Sequence, residues 1–199
     1  MHLFVANFQN ASRDPLRSML NEAQNARLNT IHHHGRADQY FWSRVLYNGL
    51  IKRLTGKDVV GDLPKNQPHP AIAFGEHQIY TSLSHSNHWV CVGYDIDHHL
   101  GVDIELAKPR AWESLSKIAF NEVVQKDIRD AEDPLLTFYC YWGLTECRYK
   151  LALSTPTDKL TSTVKVVKGT DAKVVVSALG NNPEKPTVTF LTETLLENW

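Results

Sequence analysis

The stretch GVDIEL, residues 101–106, allows two readings, and the choice between them decides how this chain is interpreted. Its apolar residues alternate with two acidic ones, Asp103 and Glu105. In a β-strand successive side chains point to opposite faces, so both carboxylates would share the face away from the core. Taken alone, the stretch predicts an amphipathic strand with a hydrated outer face. The alternative is a site for a hard cation such as Mg²⁺, which often takes one or two carboxylates together with water and phosphate.

Composition limits the class of protein. The chain has 199 residues, of which 42% are hydrophobic and 22% charged, as in ordinary globular proteins. A net charge of −1 indicates neither nucleic acid nor an anionic membrane as a partner. The 3 cysteines lack CxxC spacing and predict neither a disulfide framework nor a zinc site. The first residues do not resemble a signal peptide, and no apolar run is long enough to span a membrane, so we expect a cytoplasmic protein.

The pattern before GVDIEL is strand, helices, strands. HLFVANF (2–8) predicts a strand, and residues 12–31 predict one helix that begins near Ser12 or Asp14. Apolar residues at helical spacing predict a second helix over 37–57, with Gly56 as its C-terminal stop. Two β-like runs follow, 71–86 and 88–97.

The pattern after GVDIEL is similar. Helical segments are predicted over 109–120, 121–133 and 134–153, and alternating residues predict strands over 162–168, 173–179 and 187–195. We therefore expect an α+β chain with two similar halves, 1–97 and 98–199, although no clear internal sequence repeat accompanies them.

The long helix over 134–153 carries a stripe of residues spaced by four. Phe138, Trp142, Glu146 and Lys150 fall on one face of it. Glu146 and Lys150 could form an ordinary surface pair, which stabilises a helix by about 0.2–0.5 kcal/mol. The functional alternative makes Glu146 a third metal carboxylate and Lys150 a partner for phosphate.

Two other polar stretches need an interpretation. SLSHS (82–86) is most simply a polar turn, but Ser84 and His85 could donate hydrogen bonds to phosphate. A hydrolase based on His85 and a serine would need a nucleophile elbow such as GxSxG, and the chain has none. IHHHG (31–35) predicts a polar loop rather than a metal site. Nearby arginines, Arg44 among them, could contribute to an anion pocket.

Three motifs together resemble one enzyme family. SLSHS (82–86), GVDIE (101–105) and WGLTECRYK (142–150) occur in the order of the (S/N)(I/L)SH, G(I/V)D(I/V)E and WxxKExxxK elements of 4′-phosphopantetheinyl transferases of the larger, surfactin-synthetase-activating type. The resemblance extends firmly from Thr81 to Lys150 and loosely over the N-terminal half.

The resemblance implies a fold and a reaction. The fold of that family is a pseudo-dimer of two α+β halves, with coenzyme A and Mg²⁺ bound between them. These enzymes transfer phosphopantetheine from coenzyme A to a serine of an acyl or peptidyl carrier protein and release adenosine 3′,5′-bisphosphate. Because both halves lie in one chain, a monomer is the expected state.

The resemblance also assigns metal ligands. Asp103, Glu105 and Glu146 would hold Mg²⁺, and Lys150 would steady a phosphate oxygen or the leaving group. Phosphoryl transfer depends mainly on positioning and charge neutralisation, so such ligands and cations would dominate the site.

The remaining assignments concern the coenzyme and the base. Ser84 and His85 would contact phosphates on the adenosine side, with Arg44 as a further cation. Glu122 would help to deprotonate the incoming serine, a role that typically contributes about 10²–10⁴-fold to the rate. The Gly-Lys-Pro element of the family has no clear counterpart, and PKNQPHP (64–70) makes Lys65 the nearest coenzyme contact.

One departure lies inside a motif. Thr145 stands where the family has a lysine, so a positive charge beside the phosphates is missing. Two functional hypotheses follow. The first is a divergent but active transferase, and the second is a non-catalytic paralogue that binds coenzyme A or a carrier protein without turnover.

Overall fold

A computed structural model describes residues 1–64, 69–152, 160–168 and 173–191, and it has the α+β composition that the sequence predicts. The strands are β1 His2–Asn7, β2 Ile72–Phe74, β3 His77–Ser86, β4 Trp89–Ile96, β5 Leu100–Leu106, β6 Thr161–Lys168, β7 Lys173–Gly180 and β8 Thr187–Leu191. The α-helices are α1 Glu22–Asn29, α2 His34–Thr55, α3 Trp112–Ala119, α4 Glu122–Asp130 and α5 Pro134–Ala152. No helix in the described ranges is both long enough and apolar enough to cross a membrane.

The strands form two sheets with related connections. One has the order β2-β3-β4-β1-β8 and the other β5-β7-β6. In each sheet a strand is followed by helices and then by an antiparallel hairpin, and the second hairpin strand pairs with the starting strand. Strand β8 departs from this pattern because it crosses to the first sheet and pairs parallel with β1.

The two sheets pack face to face between layers of helices. Leu3 and Val5 of β1 share a buried apolar cluster with Val102 and Ile104 of β5 and with residues of β7. The opposite face of the first sheet packs against α1 and α2, and that of the second sheet against α3, α4 and α5. The strand predicted at GVDIEL thus turns its apolar residues to the core between the sheets, as expected.

The single helix predicted over 12–31 is wrong. A 3₁₀ turn, Asp14–Met19, is followed by extended Leu20 and only then by α1. Asn21 begins α1 through a capping box, in which its side chain accepts from the amide of Gln24 and the Gln24 side chain accepts from the amide of Asn21. This local cap satisfies amides at the helix start and fixes the beginning of α1 there.

The second helix matches its prediction at one end and begins earlier at the other. Gly56, at φ +71°, ends α2 in the left-handed conformation that glycine adopts without strain. At the start, the side chain of His33 accepts from the amide of Arg36, so the IHHHG stretch supplies the helix cap instead of forming only a loop.

Candidate functional site

The site begins where α5 lies directly on β5. A side chain at Gly101 would collide with the carbonyl oxygen of Cys147 on α5, and one at Gly143 on α5 would collide with the side chain of Ser177 on β7. These glycines let the helix backbone approach the sheet closely. As a result, the face of β5 that carries Asp103 is covered, with Asp103 only 5% exposed. The hydrated outer face that GVDIEL alone predicts is therefore wrong for Asp103.

The free edge of β5 contacts every second residue of β3 from Ser82 to Ser86, and these residues are serines. β5 is an edge strand of its sheet, so part of its backbone has no strand partner. The hydroxyl of Ser82 accepts from the amide of Val102 at 3.0 Å, and that of Ser86 accepts from the amide of Leu106 at 3.2 Å. Side chains, in place of a strand, thus satisfy the edge of β5 and hold it against the first sheet.

Asp103 joins the three sequence motifs. Its Oδ1 accepts a hydrogen bond from Ser84 Oγ at 2.8 Å and from Lys150 Nζ at 3.2 Å. Lys150 also donates to the carbonyl oxygen of Val102 at 2.6 Å. The i,i+4 surface pair of Lys150 with Glu146 is therefore not formed, because the lysine reaches from α5 to β5 instead.

The second oxygen of Asp103 has no hydrogen-bond partner among the described residues. Oδ2 is buried and accepts no hydrogen bond from them, and the nearby Ser177 hydroxyl is likewise without a described partner. A side chain at Gly143 would contact both atoms, so they lie at one place under α5. A buried carboxylate oxygen without a donor costs free energy, and a bound cation or donor would recover it.

Glu105 lies in the same electrostatic environment. Its Oε2 accepts from Ser86 Oγ at 2.9 Å. Burial and the negative charges of Asp103 and Glu146 raise the pKa of Glu105, and the charge of Arg110 opposes them. A cation among these carboxylates would relieve the repulsion and favour the ionised form.

The donor chemistry of these carboxylates fits Mg²⁺ held together with phosphate. Oxygen ligands, an unpartnered buried carboxylate oxygen and mutual repulsion between carboxylates all favour a hard cation. Within the described part of the chain, no three His, Cys, Asp or Glu side chains are arranged as a ready metal site. Mg²⁺ commonly binds through one or two carboxylates plus substrate phosphates, and Asp103 and Glu105 could supply those two.

Basic side chains lie near Asp103. His85 is accessible to solvent, yet surrounding protein removes much of its water, and this together with the charges of Lys150 and Arg44 lowers its pKa. Arg44 is held by an ion pair with Asp62, Nε to Oδ1 at 2.6 Å, and stacks on Tyr40. Arg44 and Lys150 thus make the surroundings of His85 positive.

His69 belongs to this region and was missed in the sequence. Its Nδ1 lies 3.0 Å from Thr81 Oγ1, and its ring packs edge-on against Tyr47. Burial and the charges of Arg44 and Lys150 lower the pKa of His69 to about 4. The only sequence signal was its position between two prolines in PKNQPHP, where the resemblance to the Gly-Lys-Pro element indicated Lys65 instead.

For three other residues from the sequence analysis, the structure describes no contact with Asp103, Glu105 or Lys150. Glu122 is exposed at the start of α4 and forms no hydrogen bond or ion pair with any described residue. Thr145 is exposed, and its hydroxyl donates to the carbonyl of Tyr141 within α5. Lys65 lies outside the described residues.

Comparison with known proteins gives no assignment. The chain matches no protein-family model, and no curated protein gives a significant match.

Proposed function

We propose that this protein transfers the 4′-phosphopantetheine arm of coenzyme A to a serine of an acyl or peptidyl carrier protein. The observation that carries the proposal is the convergence of three motifs on one atom. Ser84 of SLSHS and Lys150 of WGLTECRYK both donate to Oδ1 of Asp103 in GVDIE. A chance similarity of three short stretches gives no reason for them to meet in space.

The strand connections support the proposed fold. Both sheets repeat the sequence of strand, helices and hairpin, as two halves of a pseudo-dimer would. In this proposal coenzyme A binds between the halves, where β3 lies against β5. One chain then contains the whole cleft, and we propose a cytoplasmic monomer.

In this proposal Asp103 and Glu105 would hold Mg²⁺, and Glu146, whose negative charge acts on Glu105, would become a third ligand when the metal binds. When bound, the metal neutralises charge on the pyrophosphate of coenzyme A. Lys150 is paired with Asp103 and would turn part of its hydrogen bonding to a phosphate oxygen. On the other side of this region, the cation Arg44 and the neutral imidazole of His85 would contact phosphates of the adenosine end.

The reaction breaks one bond and forms another. The serine hydroxyl of the carrier attacks the phosphorus that bears pantetheine, and the bond from that phosphorus to the bridging oxygen breaks. The leaving group is adenosine 3′,5′-bisphosphate. The serine proton passes to a base, for which we propose Glu122. Positioning and charge neutralisation would supply most of the rate enhancement.

The test is the mass of the carrier. An apo carrier protein incubated with the protein, coenzyme A and Mg²⁺ should gain one phosphopantetheine group. The gain should disappear in Asp103→Ala and persist in Glu113→Gln, a matched change of an exposed acid on α3. Unmodified carriers of both the acyl and the peptidyl type would contradict the proposal.

A non-catalytic binding protein is the second candidate. Two observations favour it: Lys150 is already paired with Asp103, and Thr145 leaves its helix position without a charge. This protein would bind coenzyme A in calorimetry while every carrier stayed unmodified. Turnover of any carrier that depends on Asp103 would exclude it.

A further inference from the structure

Arg110 is held in a fixed position just after β5. The loop that carries it is fastened to α5, because the hydroxyl of Tyr139 accepts from the amide of Lys108 at 3.3 Å and donates to its carbonyl at 3.1 Å. The guanidinium carbon of Arg110 then lies 5.3 Å from the ring centre of Trp142 and 5.5 Å from that of Phe138. Stacking on aromatic rings orients a guanidinium group and restricts its motion.

The guanidinium of Arg110 has no hydrogen-bond partner among the described residues. The side chain is exposed, and it donates no hydrogen bond to any described residue. Guanidinium has five N–H donors, and stacking through its faces leaves those at its edge available. Arg110 is therefore a preorganised cation with free donors, a combination that suits phosphate oxygens.

The location of Arg110 is beside the carboxylates of the site. Its positive charge acts on Glu105 against the negative charges of Asp103 and Glu146. Its stacking partner Trp142 is on the same helix face as Glu146, one turn away. A phosphate that approached Glu105 with a cation would thus meet the guanidinium of Arg110.

Thr145 gives a reason why another residue should supply a positive charge beside the phosphates. It lies three residues after Trp142, so the two side chains are neighbours on the surface of α5. Its hydroxyl is bonded to the carbonyl of Tyr141 and carries no charge. The aromatic surface that holds Arg110 is therefore next to the position where the motif has its lysine.

We propose that Arg110 binds the pyrophosphate of the substrate and supplies, from the loop after β5, the positive charge that Thr145 lacks. The identification of the anion as the pyrophosphate of coenzyme A rests on the proposed function. The presence of an anion-binding arginine at this place rests on the contacts of Arg110.

The test measures binding of inorganic pyrophosphate with Mg²⁺ by calorimetry in four variants. Arg110→Gln should weaken binding about tenfold, since a hydrogen bond to a charged group is lost. Arg110→Lys keeps the charge without the planar donors and should fall between Gln and the wild type. Arg148→Gln, a matched change of an exposed arginine on α5, should bind like the wild type. The double variant Arg110→Gln/Thr145→Lys should regain most of the affinity.

Thermal unfolding of each variant shows whether it is folded before binding is compared. Unchanged pyrophosphate affinity in Arg110→Gln overturns the inference, and so does an equal loss in Arg148→Gln, which would reflect net charge. Failure of the wild type to bind pyrophosphate also overturns it.

The carrier assay on the same variants separates this inference from the proposed function. Pyrophosphate binding that needs Arg110, without transfer to any carrier, supports the inference and contradicts the function. Transfer by Arg110→Gln at the wild-type rate and affinity supports the function and contradicts the inference.

Discussion

Two aspartates are equally buried in this protein, and only one of them is fully satisfied. Asp95, near the end of β4, is 4% exposed, and Asp103, in β5, is 5% exposed. Both oxygens of Asp95 accept from Asn182, and Oδ2 is also paired with the amino group of Met1 at 2.8 Å. In the described part of the chain, nothing donates a hydrogen bond to Oδ2 of Asp103.

This is the difference expected between a residue that serves the fold and one that serves a site. Removing a fully paired buried charge lowers the free energy of unfolding, because its partner is left buried without a counter-charge. A buried oxygen without a donor is a cost that packing does not explain, and such costs cluster at functional sites. We therefore expect the two aspartates to respond oppositely to the same substitution.

The largest effect is expected for Asp103→Asn on the rate of the proposed transfer. Loss of this charge should slow phosphopantetheine transfer by about 10³-fold or more, because charge neutralisation at the phosphates depends on it. The free energy of unfolding should change by less than about 1 kcal/mol, since the pair with Lys150 is partly exposed and asparagine still accepts from Ser84. Carrier mass spectrometry and urea unfolding measure the two quantities. If Asp103→Asn transfers rapidly, or loses several kcal/mol of unfolding free energy, it does not differ from Asp95→Asn in the way expected.

Asp95→Asn should have the opposite profile. Breaking a buried ion pair by removing one partner should lower the free energy of unfolding by about 3 kcal/mol. The transfer rate per folded molecule should stay at the wild-type value, because Asp95 makes no contact with the site. Urea unfolding checks the first statement, and transfer assays well below the unfolding temperature check the second. A slow but stable Asp95→Asn variant would contradict both.

The serines of β3 allow a finer comparison two residues apart. Ser84→Ala removes a donor from Asp103 and should slow transfer by about tenfold, which corresponds to a hydrogen bond to a charged group. Ser82→Ala leaves the amide of Val102 without its acceptor and should lower the free energy of unfolding by about 1–2 kcal/mol. Rates and unfolding curves for both variants test this division. Identical profiles would mean that the serines only join the sheets.

The smallest effect is expected for Glu105 and depends on pH. The pKa of Glu105 is raised in the folded protein, so the native state binds this proton more tightly than the unfolded chain does. The free energy of unfolding therefore falls as pH rises from the ordinary pKa of 4.5 through the raised value.

Glu105→Gln should remove this fall in the free energy of unfolding. Mg²⁺ should stabilise the wild type at about pH 7.5 but not this variant. Urea unfolding at about pH 4.5 and about pH 7.5, with and without Mg²⁺, measures it. If Glu105→Gln keeps the pH dependence of the wild type, another titratable group causes it.

Local patterns in the sequence predicted much of the fold. Alternation identified β5, helical spacing identified α2 and α5, and Gly56 marked a helix end, because each depends on neighbouring residues. The helix over 12–31 failed at Asn21, where a capping interaction outweighed helical spacing.

Only the site residues that lie in the three sequence motifs were predictable. Ser84, Asp103 and Lys150 were named from the sequence, and the structure brings them together. The burial of Asp103 was not predictable, since it follows from the close approach of distant Gly143 to the second sheet. His69 was missed because its surroundings come from α2 and β3 and from no local pattern.

The position of β8 near the end of the described chain delays the completion of the first sheet during synthesis. It follows every other described strand in the chain, yet it pairs with β1, the first. While the chain is being made, one side of β1 stays without its neighbour until residues 187–191 have emerged. An open strand edge of this kind pairs readily with other chains. The first sheet is therefore completed only after the second half has been synthesised, and a fragment that ends near residue 97 would expose the edge that β8 covers.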